Sequence, residues 1–179
     1  NLSEPGAPVP DHLRMRSDDT LAVAARKGLG QQAVKIRANI AGTIEDQDPE
    51  YLHDLRVATR RLRSALRLFA GALGPRRADA LRRDLGWVAE RLGTVRDLDV
   101  FILNLREQAQ RLGEADAIAA VLTTELVRRR QPAQGAVVAA LTSRRFLALM
   151  RRLDALASSL PPRPHPGAHT LSVAGVGPV

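Results

Sequence analysis

His53, Arg56, Arg60, Arg63 and Arg67 recur at steps of three, four, three and four residues along "HDLRVATRRLRSALR". On a helix turning about 100° per residue, that spacing gathers them into an arc of roughly 80° and a stripe about 21 Å long. Leu55, Leu62, Leu66 and Phe69 fall on a separate arc, centred roughly 130° away, and Val57, Arg61, Ser64 and Leu68 lie on a third side. The chemistry open to such a row is anion binding. A guanidinium donates two parallel hydrogen bonds to phosphate or carboxylate oxygens, and an imidazole adds a donor that titrates near neutral pH. Like charges at i,i+4 repel by a few tenths of a kcal/mol per pair, so the row calls for acidic neighbours or an anionic ligand. A solvated charged back is the plain alternative. Confinement to one arc, with a histidine at its head and little balancing Glu, argues for the ligand.

A second informative stretch is "LGTVRDLDV" at 92–100. Arg96 shares a helix flank with Arg82, and Gly86, Ala89 and Gly93 lie between them, small enough for a ligand or a helix to approach the backbone. Asp99 falls near the centre of the apolar arc. A carboxylate there needs a partner, and Arg56, Arg60 or Arg63 of the preceding helix is the expected one. The plainer reading gives Asp97 and Asp99 surface ion pairs or cap roles. Residues at i and i+2 do not share a helix face, so the two carboxylates are not expected to bind a metal.

Catalytic signatures are missing. The chain has no glycine-rich phosphate loop, no GxSxG, no HExxH and no cysteine. His12, His165 and His169 fall in the tails, and His53 has no evident nucleophile to serve. Aromatics make up only 3% of the 179 residues, which leaves little for base stacking, and Trp87 fits the edge of a core better than a stacking platform. The net charge of +8 favours anionic partners. No run of 18 apolar residues occurs, so no membrane insertion is expected.

The elements that must position these residues read as helices. Leu, Ala and Arg dominate, and no period-2 pattern persists. A tail of residues 1–17, rich in Pro and Gly, is expected to be irregular. Asp18 or Asp19 is the expected cap of a first helix to about Gly42, with Leu21, Ala25, Leu29, Ile36 and Ile40 as its stripe. Asp48 and Pro49 open a second helix to about Ala72. A third starts at Pro75 or Arg76 and runs to Leu112 or bends near Gly93, with Leu81, Leu85, Val88, Leu92, Val95, Ile102 and Leu103 on one face. A fourth covers about 114–159, kinked or broken at Pro132 and Gly135. The expectation is an all-α, antiparallel four-helix bundle of long helices over 18–160, followed by a Pro/Gly-rich connection at 161–179.

The two motif segments also resemble a known family. "EYLHDLRVATRRLRSALRLF" at 50–69, followed by "LRRDLGWVAERLGTVRDLDV" at 81–100, is similar to the signature of the CHAD domains, conserved histidine α-helical domains, and "SRRFLALMRRLDALA" at 143–157 fits the last helix of the family's first half. The resemblance implies an all-helical fold in which two four-helix bundles enclose a basic channel for inorganic polyphosphate, often fused behind a CYTH triphosphatase domain. It implies that His53 is the name histidine, that Arg56, Arg60, Arg61 and Arg63 are the basic motif positions, and that Arg96, Asp97 and Asp99 match the second motif. The second bundle would lie beyond 161–179.

The expected function is therefore a non-catalytic module that binds polyphosphate, with no cofactor and no metal, and other polyanions as lesser partners. His53, Arg56, Arg60, Arg63, Arg67, Arg82 and Arg96 would hold the ligand, and Arg61, Asp97 and Asp99 would support them. The resemblance places it in the cytoplasm, with polyphosphate granules. Two alternatives stand beside it: a helical nucleic-acid-binding domain, and an accessory domain that holds substrate for a CYTH-type triphosphatase.

Overall fold

The computed structural model describes residues 9–112 and 117–159, apart from the side chains of residues 112 and 117. The described residues form six α-helices and a short 3-10 turn, with no strand among them. The helices are α1 (Leu21–Ile44), α2 (Pro49–Leu68), α3 (Ala70–Leu73), α4 (Pro75–Leu112), α5 (Ala117–Leu141) and α6 (Arg144–Ser158). The fold is all-α. Helix α2 packs between α1 and α4, α5 lies along α4, and α6 closes against α1 and α4.

Heptad-like leucine spacing explains the core. Leu29 and Ile36 of α1, Leu55, Leu62 and Leu66 of α2, Leu81, Leu85 and Leu92 of α4, and Leu149 and Leu153 of α6 are all 1% exposed or less. Each such side chain contributes about 1.5–3 kcal/mol by leaving water. Leu21 and Leu103 depart from the expected stripes. They are 67% and 56% exposed: Leu21 opens α1, and Leu103 faces away from the side on which Ile102 is buried.

The start of α2 follows its sequence signals. The Asp48 carboxylate accepts from the Glu50 N–H at 2.8 Å, and Pro49 occupies the first turn. The start of α1 differs from expectation. Thr20 caps it by accepting from the Val23 N–H, while Asp19 accepts from the Arg16 N–H and from Lys27 Nζ at 2.6 Å. That pair is almost fully covered, and Gln31 donates to the Leu13 carbonyl at 2.8 Å. Residues 9–17 are thus docked rather than a free tail, with Leu13 buried over Gly30. Residues 1–8 and the connection at 161–179, including His165 and His169, lie outside the described residues.

Two further boundaries move. Helix α2 ends at Leu68, and Gly74, at φ +89°, turns the chain from α3 into α4. Helix α4 is unbroken through Gly93. Helix α5 runs without a break through Pro132 and Gly135, where a kink or break was expected. Pro132 sits on the exposed side of α5, where it removes one hydrogen bond while Arg130 and Gln134 pin the helix on either side. The chain breaks instead at Thr142–Ser143, where the Ser143 hydroxyl accepts from the Phe146 N–H at 3.1 Å and caps α6.

Asp84 ties α4 to α6 through Arg145, at 2.9 Å, and Arg152. Burial alone would raise its pKa, but hydrogen bonds from Arg152 and Arg145 outweigh burial and hold it below the usual carboxylate value. The hydrogen bond from Lys27 lowers Asp19 likewise. Such carboxylates bind fewer protons folded than unfolded. Their stabilisation is complete above about pH 5 and is lost as pH falls from about 4 through the folded value. Urea midpoints are therefore expected to fall below about pH 4, with a shallower drop in Asp84→Asn. An equal drop in that variant would exclude Asp84 as a cause.

Candidate anion-binding groove

Every described residue of the proposed stripe lies on α2 beside α4. His53 and Arg56 are half-buried, while Arg60, Arg63 and Arg67 are exposed. Two close approaches fix how the helices meet. The Arg63 guanidinium lies over Gly86, 3.7 Å from where a Cβ would stand, and Arg56 Nε lies over Gly93 at 4.0 Å. Seven residues back along α2 thus match seven forward along α4, an antiparallel register. Carried along both helices, it sets Arg67 level with Arg82, Arg60 with Ala89, and His53 with Arg96. The expected small-residue floor and the stripe therefore run side by side along the seam between α2 and α4, a candidate groove. Its α4 side holds Gly86, Ala89 and Gly93, with Arg82 at one end and Arg96 at the other.

The electrostatics separate this row from other arginines of the chain. Arg37, Arg128, Arg129, Arg130, Arg145 and Arg152 all meet carboxylates. Among the described residues, no carboxylate lies within ion-pair distance of His53, Arg56, Arg60, Arg63, Arg67 or Arg96. Arg82 is the exception, bonded to Asp79 at 3.0 Å. Nδ1 of His53 is buried with no hydrogen-bond partner among the described residues. A buried polar nitrogen without a partner is uncommon and costs stability until something satisfies it.

The supporting residues are placed differently from expectation. Asp99 does not pair with Arg56, Arg60 or Arg63. In the α2–α4 register it stands level with Glu50 at the start of α2, about 9 Å along the axis beyond Arg56. Its partner is Arg130 of α5, whose Nε donates to Oδ1 at 2.5 Å. The same guanidinium grips Asp46, in the turn after α1, through two bonds of 2.6 and 2.7 Å. These bonds to Asp46 and Asp99 outweigh burial and raise the pKa of Arg130 further. Arg130 and Asp46 had no signature in sequence, because their partners are 31 and 84 residues apart. Asp97 is exposed and makes no ion pair among the described residues, and Arg61 is exposed on the solvent side of α2. Trp87 packs at the core edge with the guanidiniums of Arg91 and Arg145 over its ring, 4.6 and 4.4 Å from the centroid. No group of three potential metal-ligating side chains occurs among the described residues. No helix among them is long and apolar enough to cross a membrane.

A family model described as "CHAD domain" matches residues 27–176. The chain belongs to the CHAD domain family. Among solved structures, this CHAD domain is similar to one titled "Crystal structure of the CHAD domain from the plant Ricinus communis". The two are 34% identical, with a TM-score of 0.66. The match covers 86% of this chain and 50% of the plant chain, so this chain spans about half the length of that relative. No curated protein matches.

Proposed function

We propose that this CHAD domain binds inorganic polyphosphate in the groove between α2 and α4, holding it without chemistry of its own. The observation that carries this reading is the row His53, Arg56, Arg60, Arg63 and Arg67, which no carboxylate of the described residues neutralises, with Arg63 lying over Gly86 and Arg56 over Gly93. A linear anion with a charge at each phosphate suits a linear row of planar donors. Arg82 and Arg96 would hold its ends. Arg130 would fix the turn before α2, through Asp46, against α4 and α5.

Nucleic acid is the weaker reading. The chain's one Trp is already engaged by two arginines, Tyr51 packs over Gly42, and no aromatic side chain stands on the groove rows.

The test is a salt series with long-chain polyphosphate, run alongside competition by duplex DNA. Releasing condensed counterions from several contacts is expected to weaken binding at least about 50-fold between about 0.05 and 0.2 M salt. Duplex DNA at equal phosphate concentration is expected not to displace the ligand. Salt-independent binding, or ready displacement by DNA, would overturn the reading.

A further inference from the structure

The groove has an acidic edge. At 100° per residue, Asp79, Glu90 and Asp97 fall within an arc of about 20° on α4. That arc lies about 60–80° round from Arg82, on the side away from buried Leu81, Leu85 and Leu92. All three are exposed. Glu90 and Asp97 make no ion pair among the described residues, although unpaired arginines line the groove beside them. Asp79 reaches inward to Arg82 at 3.0 Å. Arg83 and Arg76 lie farther round α4.

We infer that Asp79, Glu90 and Asp97 form a selectivity edge, admitting a single narrow anionic chain to the groove and repelling broad polyanions such as duplex nucleic acid. This rests on the polyphosphate reading and extends it to specificity. Adjacent packed helices stand about 8–10 Å apart, so a single phosphate chain can lie between their rows, close to the arginines and inside the edge. A duplex is far wider than that interval. Resting on the arginines, it brings its outer phosphates over α4's carboxylates, within the Debye length of about 8 Å at physiological salt. The charge that attracts and the charge that rejects therefore act at different widths. Discrimination by an added repulsive element costs the favoured ligand little. Asp79 adds a second effect: a ligand must displace it to engage Arg82 fully.

The experiment measures affinities of the whole chain for long-chain polyphosphate and for a duplex DNA at about 0.15 M salt, in the natural sequence, in Glu90→Gln with Asp97→Asn, and in Glu90→Lys with Asp97→Lys. All four substitutions are at exposed positions whose side chains make no hydrogen bond or ion pair among the described residues, so the fold is expected to hold, which circular dichroism checks. The ratio of polyphosphate to duplex affinity is expected to fall about threefold on neutralisation and about tenfold on reversal, because duplex binding gains more. A ratio within about twofold of the natural chain in the reversed variant overturns the inference, whether both affinities rise together or neither moves. If the natural chain binds no polyphosphate, the functional reading fails by itself. The duplex arm still decides the edge, since repulsion predicts duplex binding that rises with each substitution.

Discussion

Replacing Arg60 and Arg63 together with Ala is expected to weaken polyphosphate binding at least about tenfold at about 0.15 M salt. Each side chain would supply a charge-assisted hydrogen bond worth on the order of 1.5 kcal/mol. Both sit in the middle of the row, where a chain entering from either end must pass. Both are exposed and bonded to nothing in the described protein, so helix content and thermal midpoint are expected to hold. Lysine at both positions keeps the charge and loses the planar fork, and is expected to recover part of the affinity. Unchanged affinity in the alanine pair, read by titration calorimetry, would remove the groove from consideration.

The largest effect on stability is expected at Arg130. Its guanidinium is 18% exposed and holds Asp99, itself 10% exposed, together with Asp46. Removing one partner of a covered ion pair strands the other, a loss of about 3–5 kcal/mol when burial is complete. Partial exposure and the freedom of Asp46 to meet water reduce this to roughly 2–3 kcal/mol for Arg130→Ala, or about 5–10 °C in thermal midpoint. Among the described residues Asp99 Oδ2 already lacks a partner, so truncating Arg130 leaves that carboxylate with no ion pair there. Asp99→Asn is expected to cost less, since Arg130 keeps its two bonds to Asp46. If the two variants melt alike, within about 1 °C, the stranded charge is not the cause.

The contrast between Arg63 and Arg130 explains what could be read from the sequence. Positions on one helix obey a fixed rotation, so the arc holding His53, Arg56, Arg60, Arg63 and Arg67 followed from spacing alone, as did the core leucines of α2 and most of those on α4. Which helix faces which does not follow from rotation. Asp99 was therefore assigned to α2, the neighbour in sequence with the most arginine, when its partner lies on α5. The register that separates it from Arg56, read where Arg63 lies over Gly86 and Arg56 over Gly93, is a relation between helices. The α5–α6 boundary was misread for a different reason. Pro132 is a strong local breaker, but an exposed proline costs one hydrogen bond, and tertiary contacts on either side outweighed it. Ser143, a modest capping signal, marked the true end. Thr20 displaced Asp19 as the cap of α1 because Lys27, two turns along, claimed the aspartate.

The two glycines beneath the arginines carry one more implication. A methyl group at Gly86 or Gly93 would meet its guanidinium at 3.7–4.0 Å, an ordinary contact distance, so crowding does not forbid alanine there. Alanine favours the helical state by about 0.8–1.0 kcal/mol over glycine at an interior position. Helix α4 thus forgoes about 2 kcal/mol of intrinsic helicity across the pair. What it keeps is bare main chain directly under two cations. Methylating that bed would make the protein more heat-resistant, and would fill the one-methyl gap that now separates each cation from the backbone.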